Sequence, residues 1–102
     1  MRIIKQSTLL NLAGKHPKSL TAIENWLAVT KKAEWQGLND VRRTYPHADL
    51  VEVGSGKKVM VFNIRGNAYR LIVAVHFNTG MVYILRFLTH AEYSKDQWKE
   101  QL

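Results

Sequence analysis

The sequence contains no cysteine and no long apolar run, and each absence excludes a class of protein. Without cysteine, neither a disulfide framework nor a thiolate metal site is possible. No segment approaches the roughly 18 apolar residues of a membrane-spanning helix. The first residues also lack the apolar stretch of a signal peptide. We therefore expect a cytoplasmic protein without a membrane partner.

Carboxylates are scarce as well. The 102 residues carry 8 Asp and Glu against 15 Lys and Arg, which gives a formal net charge of +7. No carboxylate occurs between Glu52 and Glu92. A basic excess of this size on a small domain predicts an anionic partner. The cations inside that carboxylate-free interval are Lys57, Lys58, Arg65, Arg70 and Arg86.

The length and composition are those of one globular domain, which we expect to span residues 1–102. Hydrophobic residues make up 46% and charged residues 23%, so the chain should fold around a single core. The four histidines lack the His-x-x-His or Glu-x-x-His spacing of a metal site. We expect neither a metal nor another cofactor.

Helical periodicity fills the first half of the chain, and a two-residue alternation replaces it from Leu50 onward. Ser7 is a candidate N-cap for the first helix, and Thr21 with Glu24 has capping-box spacing for the second. Helices first and sheet second predict an α+β fold, with N-terminal helices on an antiparallel sheet. The predicted helices run from residue 7 to Pro17, from 19 or 21 to about 35, and from 38 to 44; the predicted strands are 2–4, 50–53, 59–64, 69–77 and 81–88.

Two arginines fall inside apolar strands. If residues 78–80 form a three-residue loop, Ile72 lies opposite Arg86, and Arg70 becomes a diagonal neighbour of Arg86 on one face. Two guanidinium groups without a carboxylate repel each other, and a phosphate would satisfy both. A two-residue loop would instead shift the register by one residue and turn Arg86 to the other face.

The segment FLTHAEY, residues 87–93, follows the last predicted strand. Thr89 and Glu92 have the spacing of a capping box, which would begin a helical turn with His90 and Tyr93 on nearly one face. Alternatively, Tyr93 only packs and His90 is only an exposed first residue of the helix. With the arginines, the pair suits phosphodiester cleavage without a metal: a base takes the 2′-hydroxyl proton, cations stabilise the phosphorane and an acid protonates the 5′-oxygen.

Two stretches, VFNIRGNAYRL (61–71) and VYILRFLTHAEY (82–93), resemble the HigB-type toxins, a branch of the RelE-like endoribonuclease superfamily. NDVRRTYPHADLV (39–51) fits the same pattern. The resemblance implies helices on a curved antiparallel sheet, a short C-terminal helix, and metal-independent cleavage of messenger RNA in the ribosomal A site. It also implies inhibition by an antitoxin, for which we expect a HigA-type protein with a helix-turn-helix.

The resemblance implies roles for individual residues too. Arg70 corresponds to the strand arginine of the family and, with Arg86, would hold the scissile phosphate. His90 or one of the two lysines in the preceding loop would be the base, and Tyr93 would orient or stack on the nucleotide. The residues expected to act in catalysis are Arg70, His90, Tyr93, Arg86 and Lys57, and those expected to bind RNA are Lys57, Lys58, Arg65 and Asn67.

Two other functions fit the same sequence. The basic sheet could belong to a non-catalytic module that binds nucleic acid or the ribosome, or to a gyrase poison on a related fold. Gyrase poisons of this superfamily generally lack the acid and base residues. His90 together with Tyr93 therefore favours the ribonuclease.

Overall fold

The computed structural model describes residues 1–102 and contains one five-stranded sheet with strand order β1-β5-β4-β3-β2. The last four strands form an antiparallel meander, and β1 pairs in parallel with β5 at one edge. The predicted α+β class is confirmed, with the parallel edge strand as an additional feature. The strands are β1 (Arg2–Ile4), β2 (Asp49–Glu52), β3 (Lys58–Ile64), β4 (Tyr69–His76) and β5 (Met81–Thr89).

Five helices surround the sheet, and a 3-10 turn at Pro17–Ser19 separates the first two. The last two form the predicted C-terminal helical region. None of these helices is both long and apolar enough to cross a membrane. The helices are α1 (Gln6–Gly14), α2 (Leu20–Lys32), α3 (Leu38–Thr44), α4 (His90–Ser94) and α5 (Gln97–Gln101).

Both faces of the sheet are buried, but by different parts of the chain. One face packs with the N-terminal helices in a cluster that includes Trp26, Phe62 and Leu71. The other face carries a smaller cluster, in which Trp98 of α5 packs against strand residues. We call this second side the C-terminal face. Its buried members are Val53, Val59, Val61, Ile72 and Trp98.

The helix starts in the first half differ from those predicted. Ser7 is not an N-cap, because α1 begins at Gln6, and no side chain caps it. The 3-10 turn leads directly into α2, so Thr21 already lies inside the helix and forms no capping box with Glu24. Helix α2 also ends at Lys32, before Trp35.

The β4–β5 hairpin decides where the arginines point. Its loop has four residues, 77–80, and His76 pairs with Met81, so the predicted three-residue loop is wrong. A bulge then skips Leu85, and the predicted pairing of Ile72 with Arg86 is confirmed. Because side chains alternate along a strand, Arg70 shares the C-terminal face with Arg86.

Candidate active site

Arg70 is the only charged residue among the buried residues of the protein, with 8% of its surface exposed. Its Nη1 donates to the backbone oxygens of Asn67 and Tyr69, both at 3.1 Å, and its Nη2 donates to Asn67 Oδ1. Neither of the two ion pairs in the fold involves Arg70. A buried cation without a counter-ion is costly, so this position favours a bound anion.

Helix α4 is held in place by its cap and by the β3–β4 loop. Thr89 N donates to Glu92 Oε1 at 3.0 Å, and Glu92 N donates to Thr89 Oγ1 at 3.2 Å, which confirms the predicted capping box. The bond from the Thr89 backbone N–H is the largest cause that lowers the pKa of Glu92. His90 N also donates to Ala68 O at 3.0 Å. The helix start is thus tied to the loop that carries Asn67.

This arrangement brings His90 and Tyr93 to Arg70. Arg70 Nη2 lies 3.3 Å from His90 Nδ1, and the Arg70 Cζ atom lies 5.4 Å from the centroid of the Tyr93 ring. Because a guanidinium only donates, His90 Nδ1 must accept, which leaves the hydrogen of the neutral ring on Nε2. The predicted trio of Arg70, His90 and Tyr93 therefore forms one cluster.

The ring of Tyr93 also packs against Trp98 of α5. The two rings stack at 5.2 Å between centroids and 20° between planes, and Trp98 Nε1 donates to Tyr93 O at 3.0 Å. Burial raises the pKa of Tyr93, while the charges of Lys99 and Arg70 oppose the shift. The phenol is thus protonated at neutral pH. The stacking of Trp98 on Tyr93 was not predicted from the sequence.

Arg86 shares the face of Arg70 but not its contacts. Arg86 Nη1 donates to Leu85 O at 2.7 Å. The side chain lines a separate cleft of about 250 Å³ between β5 and the C-terminal helices, together with Lys95 and Gln97. The two guanidinium groups therefore have no common hydrogen-bond partner. Their contacts do not form the shared phosphate site that was predicted for them.

Lys57 and Lys58 lie far from this cluster. Asn63 is the residue of β3 that pairs with Arg70, and Lys58 is five residues earlier in that strand. At about 3.3 Å per residue, the separation along the strand is about 17 Å. Both lysines instead line a cavity of about 500 Å³ with His76. Lys57, expected as an alternative base, is therefore not brought to Arg70.

The β3–β4 loop places two predicted RNA-binding residues beside the cluster. Arg65 and Asn67 are both exposed in this loop. Arg65 adopts the left-handed conformation, with φ of 52°, as does Gly66, with φ of 62°. A left-handed arginine is uncommon and mildly strained, which is typical of a residue kept for its side chain.

Two further polar residues near the cluster were not predicted. Asn63 pairs directly with Arg70 and is exposed. Asp49, the first residue of β2, pairs with Val61, and its charge acts on the phenol of Tyr93. If the two-residue alternation is extended one position before Leu50, it indicates which face of the sheet carries Asp49. Its proximity to Tyr93 depends on the folded sheet. No group of three or more His, Asp or Glu side chains is arranged to hold a metal ion.

Comparison with known proteins places the chain in a family. A model of the HigB toxin family, described as the RelE-like toxic component of a toxin-antitoxin system, matches residues 19–96. The mRNA interferase toxin HigB of Escherichia coli K12 is 30% identical over 96 residues, which cover 91% of this chain and 88% of that protein. The mRNA interferases HigB of Escherichia coli O157:H7 and Shigella flexneri match to the same extent. The chain belongs to the HigB family of RelE-like toxins of toxin-antitoxin systems.

Proposed function

We propose that this toxin is an endoribonuclease that cleaves messenger RNA on the ribosome without a metal ion and is neutralised by a cognate antitoxin. The observation that carries the proposal is the buried Arg70, which has no carboxylate partner and contacts both His90 and the ring of Tyr93. A guanidinium, an imidazole and a phenol within one cluster are the groups that phosphodiester cleavage needs. The relatives named mRNA interferase support the same reaction.

In the proposed reaction, Arg70 binds the scissile phosphate and stabilises the charge that develops on its oxygens. The phosphate then draws the guanidinium away from His90 Nδ1, because a charged acceptor forms a stronger hydrogen bond than a neutral imidazole nitrogen. Tyr93 is protonated at neutral pH, since burial raises its pKa. It is therefore a donor or a stacking surface, and not the base.

The remaining cations would hold the larger RNA. Arg65 is exposed in the β3–β4 loop, whereas Lys57 and Lys58 are exposed at the other end of β3. A spread of about 17 Å exceeds the reach of one phosphate group but suits contacts along a ribosomal RNA backbone. We assign these residues to docking in the A site, and Asn67 to positioning Arg70 and the messenger RNA.

The decisive experiment maps messenger RNA 5′ ends after brief induction. We compare the wild type with Arg70→Ala, His90→Gln and the control Arg43→Ala, whose arginine is exposed on α3 and pairs with Asp40. The wild type and the control should produce cuts within translated frames, and Arg70→Ala should produce none. Purified protein should cut the same message only when translating ribosomes are present.

Other outcomes identify the alternatives. DNA-damage signalling without new 5′ ends would indicate a gyrase poison, and ribosome binding without either effect would indicate a non-catalytic module. Full toxicity of both Arg70→Ala and His90→Gln would show that the assigned cluster is wrong. Co-expression of the neighbouring helix-turn-helix protein, if it is the HigA-type antitoxin, should restore growth and co-purify with the toxin.

A further inference from the structure

The proposed reaction needs a general base, and no residue has yet been assigned to that role. His90 Nδ1 accepts from Arg70 and becomes free only when a phosphate draws Arg70 away, and the Tyr93 phenol is protonated. Lys57 lies too far along β3 to reach a phosphate held by Arg70. A carboxylate on the same face of the sheet that is already free could take the proton of the 2′-hydroxyl without that rearrangement.

Asp49 lies on the face of the sheet that carries Arg70. It pairs with Val61, which in turn pairs with Ile72, and Ile72 lies two residues from Arg70 on the same strand. Paired residues and residues two apart share a face, so Asp49 and Arg70 both lie on the C-terminal face. The Asp49 side chain is exposed at the edge strand and takes part in neither ion pair of the fold. It is a free carboxylate.

We propose that the Asp49 carboxylate is the general base of the cleavage reaction. It takes the proton from the ribose 2′-hydroxyl as the 2′-oxygen forms its bond to phosphorus. The bond from phosphorus to the 5′-oxygen breaks, and that oxygen receives a proton from the Tyr93 phenol. The products are a 2′,3′-cyclic phosphate and a 5′-hydroxyl. This assignment rests on the proposed ribonuclease function.

The negative charge of Asp49 distinguishes a role as general base from a role in binding RNA. A carboxylate beside a phosphate site repels the phosphate, so loss of the Asp49 charge should not weaken RNA binding, whereas loss of a general base should slow cleavage. The groups that act on the neighbouring Tyr93 phenol are Lys99, Asp49, Arg70 and Asp96. His47, an exposed imidazole two residues before Asp49, is the competing base and needs its own variant.

The test measures single-turnover cleavage of a message on translating ribosomes by the full-length toxin. Asp49→Asn should slow cleavage by roughly 100-fold or more, within the usual range for loss of a general base. A message with a 2′-deoxyribose at the cleavage position should bind Asp49→Asn as tightly as the wild type or more tightly.

Glu52→Gln is the matched control, because Glu52 is exposed on the same strand but alternation places it on the opposite face. It should cleave like the wild type, as should His47→Gln. Wild-type cleavage by Asp49→Asn would overturn the assignment while leaving the proposed function intact, and so would a 100-fold loss in His47→Gln alone. A wild-type protein that cuts no message on the ribosome would overturn the proposed function itself.

Discussion

Arg70 combines deep burial with a full positive charge, and only neutral acceptors surround it. Three of its four acceptors belong to the β3–β4 hairpin, and the fourth is His90. The carboxylate-free interval between Glu52 and Glu92 is the sequence feature from which we predict an anion-binding role for Arg70. The partners were not predictable, because they depend on how the hairpin loop folds back over its own strand.

A buried cation without a counter-ion should contribute little to stability. We expect Arg70→Met to leave the free energy of unfolding unchanged or raise it by about 1 kcal/mol, because an apolar side chain of similar length avoids the desolvation cost. Cleavage should be lost. Chemical denaturation measures the first effect, with Arg42→Met as the control at an exposed arginine that bonds Ala48 O. A loss of more than about 2 kcal/mol in Arg70→Met would instead make Arg70 a structural residue.

Among the elements, two segments with the same capping-box spacing have different outcomes. Thr89 and Glu92 form the box because Thr89 ends a strand in extended conformation. Thr21 and Glu24 do not, because the 3-10 turn has already started the helix before Thr21. The bulge at Leu85 is likewise a feature that local spacing in the sequence does not indicate. Local spacing indicates which bonds are possible, and the preceding backbone decides which ones form.

The cap of α4 should influence both stability and activity. Thr89→Ala should lower the free energy of unfolding by about 1 kcal/mol, the usual cost of losing an N-cap side chain. It should also slow cleavage, because His90 and Tyr93 are aimed by the same turn. Thr21→Ala is the control, since Thr21 is exposed and caps nothing. Equal effects of the two substitutions in thermal denaturation and cleavage assays would contradict this role of the cap.

The same cap predicts a dependence of stability on pH. The hydrogen bond from the Thr89 backbone lowers the pKa of Glu92 from its ordinary value of 4.5. The stabilisation is therefore present above pH 4.5 and is lost as the pH falls through the lower folded-state value. Glu92→Gln should be less stable than the wild type at pH 7, with a gap that narrows below pH 4.5. Urea denaturation across pH 3 to 7 measures the gap, with Glu24→Gln, which removes no capping bond, as the control.

At the scale of the whole molecule, the sheet assembles residues that are distant in the sequence. Arg70 and Tyr93 come from a stretch that the sequence could mark, because strand alternation and a helix-start motif carry local signals. Asp49 and Trp98 come from the edge strand and the last helix, and only the strand order and the packing of α5 bring them to Tyr93. The central sheet and most of the cluster were thus predictable from the sequence. The positions of Asp49 and Trp98 beside the cluster were not.

The net charge of +7 should strengthen binding to the ribosome, and this effect should be separable from the cleavage step. With only two ion pairs in the fold, most of the 15 cations are free to contact phosphates.

Because each phosphate contact releases about 0.7 to 0.9 counterions, replacing Lys57 and Lys58 with Gln should reduce the slope of log affinity against log salt by about 1.5. Cleavage of bound message should continue, since both lysines lie at least about 17 Å from Arg70 along the direction of β3. Ribosome binding at several salt concentrations measures the slope, with Lys31→Gln and Lys32→Gln, at the end of α2, as the control pair. An unchanged slope in the Lys57 and Lys58 variant would remove that end of the sheet from the binding surface, and loss of single-turnover cleavage at saturation would return the lysines to the chemistry.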